Sequence, residues 1–310
     1  MTTVFIAVEH PKLGQEWVRI FQELQPDWQV LEWTPGLAAK ADIAIVWRPD
    51  AQLFVEQPQL KAVFNMGAGV DAIDFDVIPE HIPVYRVEDG GMAVQMAEYA
   101  IYGVLNATQR FAPYVELQQK NTWKVLRPVH REQWPIGVMG YGQIGQKVVQ
   151  SLQVLGYPVN AWVRTARQAP AGVKLYAGAQ ELDAFLAASR ILVNVLPLTP
   201  ETTGLLDKTN LLKLQPNSYL INMARGPHVV DQDLLEVIDS GHMTGALLDV
   251  FHQEPLPATH PFWQHPRIMI TPHISGVSLR YPTARHIHEK AQAFLTGQPI
   301  SGLVQRQRLY

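Results

Sequence analysis

The sequence predicts an α/β protein with two doubly wound, parallel-sheet domains. Three observations carry that expectation. Short apolar runs alternate with helical periodicity along most of the chain, the pattern of strands joined by crossover helices. The pattern comes as two series, separated by a charged, aperiodic stretch at residues 121–134. The length, 310 residues, is about twice that of an ordinary single domain.

In the first series, residues 4–8, 30–33, 43–47 and 62–66 read as strands and 16–24 as a helix. The 4–8 run is too short for a secretory signal and has no basic residues before it. A long helix is expected over 92–118, where Ala93, Met96, Ala97, Ala100, Ile101, Val104 and Leu105 fall at helical spacing. The aperiodic stretch after it carries Trp123, Pro128 and His130 and reads as a loop or arm. The second series has strands at 136–139, 159–163, 191–196, 219–222, 246–250 and 268–271, a helix near 144–155 and a last helix over 281–295.

Composition narrows the function. There are 25 basic and 28 acidic residues, a net charge of −3, with 47% hydrophobic residues. Nucleic acid or an anionic membrane as main partner would need clustered positive charge, so neither is expected. No apolar stretch approaches the ~18 residues of a membrane span. Cys is absent, which removes disulfides, thiolate metal sites and a cysteine nucleophile, and suits a cytosolic protein. His286 and His288 with Glu289 fail as a metal motif, because Gln292 stands where a second zincin His is needed. No metal is expected.

Gly140-Tyr141-Gly142-Gln143-Ile144-Gly145 is G-x-G-x-x-G between a strand and a helix. The first Gly permits the turn, the second lets a pyrophosphate approach, and the third lets the helix pack on the strand. Gln146 in place of Lys excludes a P-loop. The next strand would ordinarily end in an acid that binds the ribose hydroxyls. Here it runs into Arg164-Thr165-Ala166-Arg167, and two arginines with a hydroxyl suit a 2′-phosphate, as in NADP. Three later strands each deliver polar residues at or past the C-terminal end: Arg225 with 219–222, Asp249 and Glu254 with 246–250, His273 with 268–271. That sheet edge is where open α/β sheets bind ligands. An Arg, a Glu and a His there fit anion binding with acid/base chemistry. Trp47 and Arg48 end a strand of the first series and are candidates for substrate contact.

With these motifs in view, the sequence resembles the D-isomer-specific 2-hydroxyacid dehydrogenase family, and within it the short bacterial glyoxylate/hydroxypyruvate reductase A type. The resemblance rests on Gly67-Ala68-Gly69-Val70-Asp71, the 140–145 turn, Leu196-Pro197-Leu198-Thr199-Pro200-Glu201-Thr202, the 222–226 and 249–255 segments, and Thr271-Pro272-His273-Ile274-Ser275-Gly276. It implies that Arg225 is the catalytic arginine, His273 the acid/base and Glu254 its supporting carboxylate. It also places the backbone of Gly67, Ala68 and Gly69 at the substrate carboxylate. Leu196, Pro197, Thr199, Met223, Ala224, Asp249 and Ser275 fall along the cofactor, with Asp249 near the nicotinamide amide.

The architecture so implied is two Rossmann-like or flavodoxin-like domains with an active site in the interdomain cleft. Residues 1–95 with 279–310 form the substrate domain and 96–278 the dinucleotide domain. The expected activity is NADPH-dependent reduction of glyoxylate and hydroxypyruvate, with NADH as a second cofactor, in a cytoplasmic homodimer. Trp123 lies in the arm that related dimers use. The alternatives are a reductase for a larger 2-keto acid, and a corepressor-like sensor of the same fold.

Overall fold

The structure, a computed structural model, describes residues 1–306 apart from His10, Asp71, Ala72 and Pro128. Asp71, which closes the 67–71 motif, and Pro128 of the expected arm thus lie outside the described residues. In chain order the first elements are β1 (Thr3–Val8), α1 (Pro11–Leu24), β2 (Gln29–Glu32), β3 (Ile43–Trp47), α2 (Gln52–Glu56), β4 (Ala62–Asn65) and β5 (Val84–Arg86). Next come α3 (Met92–Gln109), α4 (Phe111–Gln119), β6 (Ile136–Met139), α5 (Gln143–Val154), β7 (Val159–Val163), β8 (Val173–Ala177), α6 (Leu182–Ala187) and β9 (Ile191–Asn194). The chain continues through α7 (Lys208–Leu211), β10 (Ser218–Asn222), α8 (Asp231–Asp239), β11 (Met243–Leu248), β12 (Ile268–Ile270) and α9 (Arg280–Leu295). Among the described residues no helix is long and apolar enough to cross a membrane.

Two units pack separately: Met1–Met92 with Ser278–Tyr310, and Ala93–Val277. The first holds a five-stranded sheet in the order β2-β1-β3-β4-β5, every pair parallel. This is the flavodoxin-like order, reversing between β1 and β3. Covered on both faces, its strands are nearly continuous apolar runs: Val4, Phe5 and Ile6 are buried, as are Ile43, Ala44, Ile45 and Val46. In α1, Trp17, Ile20 and Phe21 repeat at helical spacing and are all buried. The last described residues cover the β5 edge, where Leu303 bridges Tyr85 antiparallel and Val304 N donates to Val84 O at 2.8 Å.

The second unit holds seven parallel strands in the order β12-β11-β10-β9-β6-β7-β8. That is the Rossmann order with an added strand, and its direction of growth reverses between β6 and β9. Its core includes Phe185, Leu192, Leu220, Leu234, Ala246 and Phe262.

The single helix expected over 92–118 is two helices. Arg110 takes a left-handed conformation (φ 57, ψ 42) between α3 and α4, and a right-handed helix cannot run through such a residue. Strands β5 and β8 were not anticipated; β5 has three residues, and β8 lies at the sheet edge.

Candidate active site

The turn between β6 and α5 needs each of its three glycines for a different reason. Gly140 has φ +96, and a Cβ there would lie 3.1 Å from Val195 O. A Cβ on Gly145 would come within 2.1 Å of Gly140 O, so α5 could not start so close to the strand. Around Gly142, the residue that precedes α5, a Cβ would meet nothing within 4 Å. Open space beside the first turn of a 12-residue helix, with Gln143 exposed and Ile144 half-buried, fits a dinucleotide pyrophosphate. This turn and the 195–202 loop leave the two strands that flank the sheet's reversal, and Val195 N donates to Met139 O at 3.0 Å.

Past β7, Arg164 and Thr165 are exposed. Arg167 turns back to the glycine turn: its Nη2 donates to Tyr141 O, and its guanidinium carbon lies 4.7 Å from the Tyr141 ring centroid. The structure thus brings one of the two expected cations onto the cofactor turn.

Two buried asparagines that end neighbouring strands shape the next loops. Asn194 Nδ2 donates to Asn222 Oδ1 at 3.0 Å, and Asn222 Nδ2 donates to Arg225 O at 3.1 Å. The Asn194 Oδ1 accepts from Leu196 N, and the Asn222 Oδ1 from Ala224 N. Thr202 Oγ1 donates to Pro197 O at 2.8 Å and accepts from Thr199 N at 2.8 Å. His228 is buried with Nδ1 3.0 Å from Arg225 O and Nε2 3.2 Å from Pro197 O. Burial pushes this imidazole below its ordinary pKa, against the pull of both carbonyls. Sequence reasoning missed Asn194 and His228, although an Asn closing each of two apolar strands was a readable signal.

Arg225 follows β10 in an extended conformation (φ −145, ψ 149), and its Nη1 donates to Ala224 O at 2.7 Å. A Cβ on Gly226 would fall 1.9 Å from the Phe251 carbonyl carbon. Only glycine therefore lets the Arg225 strand end pack against the turn that carries Glu254. Glu254 Oε1 accepts from Phe251 N at 3.0 Å, and its Oε2 lies 2.7 Å from His273 Nδ1. Both side chains are partly exposed, and His273 Nε2 has no partner among the described residues.

His273 itself is left-handed, with φ 55, a strained state for a residue with a Cβ. Asp249 holds it there. The Asp249 carboxylate is fully buried: Oδ1 accepts from Ile274 N at 2.8 Å and Thr271 Oγ1 at 2.6 Å, and Oδ2 from Ser275 N at 2.8 Å. Tyr99 extends the network with its hydroxyl 2.6 Å from Thr271 Oγ1, and burial raises its phenol well above the ordinary range. Asp249, expected along the cofactor, thus also has a structural use: it anchors the loop bearing His273.

In the first unit, the Trp47 ring lies against the 67–69 loop, so that a Cβ on Gly67 would stand 2.4 Å from Cζ3. Arg48 is exposed, left-handed (φ 48), and 3.6 Å from the Glu9 carboxylate. Trp123 is 99% exposed. His288 packs on the Trp28 ring at 5.1 Å and lies 3.2 Å from Gln25 Oε1; burial pushes His286 and His288 below their ordinary pKa values.

The comparisons agree with this geometry. A sequence model of the "D-isomer specific 2-hydroxyacid dehydrogenase, NAD binding domain" matches residues 101–275. Over 308 residues the chain is 41% identical to the glyoxylate/hydroxypyruvate reductase A of Escherichia fergusonii, covering 97% of this chain and 98% of that one. Its fold is similar to the D-isomer specific 2-hydroxyacid dehydrogenase of Xanthobacter autotrophicus Py2 in complex with NADPH and MES (TM-score 0.91, 33% identity, covering 100% and 99% of the two chains). It is also similar to the NADPH-dependent glyoxylate/hydroxypyruvate reductase of Sinorhizobium meliloti in complex with NADP and sulfate (TM-score 0.90, 30% identity, both chains fully covered). With its glycine turn at the sheet's reversal and Arg, Glu and His on neighbouring strand ends, the chain belongs to the D-isomer specific 2-hydroxyacid dehydrogenases, oxidoreductases that act on CH–OH groups with a nicotinamide cofactor.

Proposed function

We propose that the protein reduces glyoxylate and hydroxypyruvate to glycolate and D-glycerate with NADPH, and uses NADH less well. The observation that carries the reading is the His273–Glu254 pair, 2.7 Å apart, with His273 Nε2 left without a partner among the described residues. A carboxylate on one imidazole nitrogen fixes the ring and leaves the other to hand a proton to a substrate oxygen. The names of the relatives from E. fergusonii and S. meliloti support the substrates.

In this reading Gly140, Gly142 and Gly145 admit the pyrophosphate to the α5 N-terminus, while Arg164, Thr165 and Arg167 take the 2′-phosphate. The bound cofactor supplies a hydride for the carbonyl carbon. His273 donates a proton to the developing alkoxide, and Glu254 keeps the ring oriented. Arg225 pairs with the substrate and stabilises negative charge on the oxygen. The 67–69 loop takes the substrate carboxylate, and Trp47 with Arg48 limits the side chain. The protein acts as a cytosolic homodimer, a state supported by Trp123 and Val125, 99% and 81% exposed. Following absorbance of NADPH and NADH with a panel of 2-keto acids tests the function. Turnover highest with NADPH and the two small acids is expected. Cofactor binding without turnover of any 2-keto acid overturns the reading.

A further inference from the structure

Glu254 stands in a stretch with little structure of its own. Residues 251–259 form no helix or strand, and none of their N–H groups donates to a backbone carbonyl among the described residues. Such a segment keeps one conformation only as far as side chains hold it.

Two histidines, one on each side of Glu254, supply that hold, and one carboxylate receives both. His252 Nε2 donates to Val229 O at 2.8 Å and lies 3.7 Å from Asp231 Oδ1. His260 Nε2 lies 3.3 Å from Asp231 Oδ2. Phe262 N donates to His260 Nδ1 at 3.3 Å, so Nδ1 is the acceptor nitrogen and Nε2 carries the hydrogen that Asp231 takes. Phe262 is buried in the core of this unit, and its ring centroid lies 4.5 Å from that of His260.

Asp231 opens α8, and its own helix makes no use of the side chain. Val230 is the N-cap, and no side chain caps that terminus. Among the described residues the carboxylate has no partner besides the two imidazoles. Burial pushes its pKa above the ordinary carboxylate value, against the pull of both histidines. A carboxylate so placed costs hydration, and the return is what it fastens. The post is firm, because Leu234, Val237 and Ile238 bury the inner face of α8. The chain reaches Asp231 from Arg225 through one short turn, Gly226–His228, so a single segment places Arg225 and fastens the Glu254 turn.

We infer that Asp231 is a positioning residue for the reaction: by receiving His252 and His260 from either side of Glu254, it fixes the turn that brings the Glu254 carboxylate to His273. It acts through Glu254 on the orientation of the His273 ring, and not directly on substrate or cofactor. The inference rests on the reading of His273 as the proton donor.

The test is a mutant cycle in the whole enzyme, with kcat and KM for glyoxylate, NADPH titration by fluorescence and thermal melts. A catalytic group displaced by ~1 Å can lose ~10²-fold in rate, so Asp231→Ala should lower kcat by ~10-fold, with KM and NADPH affinity within about twofold of the parent. Asp231→Asn keeps an acceptor for His260 and should lose less. In a Glu254→Ala background nothing remains for Asp231 to position, and Asp231→Ala should then lower kcat by less than about twofold. A parental kcat in Asp231→Ala overturns the inference, as does an equal loss in both backgrounds, which marks general damage to the fold. His273→Ala at the parental rate overturns the proton-donor reading and the inference with it. A slow His273→Ala beside a parental Asp231→Ala overturns the inference alone. Should Asp231→Ala not fold, His252→Ala carries the same cycle, since that side chain is 49% exposed. It must lower kcat with Glu254 present and not without it, and any other result overturns the inference.

Discussion

Glu254 Oε2 lies 2.7 Å from His273 Nδ1, while the Glu254 Oε1 accepts from Phe251 N at 3.0 Å. The carboxylate is thus fixed by its own turn before it fixes the imidazole. His273→Ala should lower kcat by ~10²–10⁴-fold, the usual worth of a general acid, with NADPH affinity kept. Glu254→Gln retains an acceptor and should cost less. Steady-state rates with glyoxylate, beside cofactor titration, check both. A His273→Ala enzyme within a few-fold of the parent would remove the acid role.

The close approach of α5 to β6 gives a second prediction. A methyl at Gly145 would stand 2.1 Å from Gly140 O, a backbone atom that cannot rotate away. Gly145→Ala must push the helix off the turn, so NADPH affinity should fall by at least ~10-fold. At Gly142 the same methyl meets nothing within 4 Å of protein, so Gly142→Ala should leave folding unchanged and obstruct only the ligand. Thermal melts with and without NADPH separate the two: Gly145→Ala should lower the melting temperature of the free protein, and Gly142→Ala should not.

Much of this was legible because it is periodic or spaced. Parallel strands buried on both faces are apolar runs, and Ile43–Trp47 and Ile136–Met139 match the expected 43–47 and 136–139. The glycine turn is legible because each glycine answers a local steric demand. The break at Arg110 was not, since nothing at 92–118 marks a left-handed residue and the apolar spacing runs on past it. His228 was missed for another reason: its partners are backbone carbonyls, which leave no mark in a residue pattern. Asp249 was legible as a polar residue at a strand end, but its hold on the Ile274 and Ser275 N–H groups depends on the left-handed turn at His273.

Acid should destabilise the first unit through Glu88. Burial alone raises its pKa, but hydrogen bonds from Ser301 and Lys290, with the charges of Lys290 and Arg86, bring it below the ordinary 4.5. A carboxylate lowered in the folded state contributes stability above the unfolded pKa, and loses it as pH falls through the folded one. Glu88→Gln should therefore be less stable than the parent at pH 7, because Lys290 keeps its buried charge without a counter-ion. The gap should narrow as pH falls below the ordinary 4.5 and close below the lowered folded value. Denaturant melts across pH 3–7 check this, and a constant gap would contradict it.

Trp47 offers a test of substrate size. Its ring fills the space against Gly67, so Trp47→Ala opens room beside the 67–69 loop. The variant should raise kcat/KM for bulkier 2-keto acids relative to glyoxylate. An unchanged ranking across the panel would reduce Trp47 to packing.

Cofactor choice turns on the end of β7. An acid there would accept hydrogen bonds from the ribose hydroxyls and repel a 2′-phosphate; Arg164 does neither. Arg164 and Thr165 are exposed, so solvent screens each contact, and an exposed ion pair is worth only ~0–1 kcal/mol. Arg167 is in a different position. Its guanidinium is already ordered on Tyr141, through the Tyr141 carbonyl and the ring 4.7 Å away, so little entropy remains to be lost when a phosphate arrives. The larger share of NADPH preference should therefore sit at Arg167. Arg167→Ala should lower kcat/KM for NADPH by ~10-fold or more and change that for NADH by less than about threefold. Arg164→Asp should also turn preference toward NADH, because it adds repulsion as well as removing attraction. Measuring kcat/KM for both cofactors in the parent and both variants decides the matter, and a parent that prefers NADH would sink the assignment.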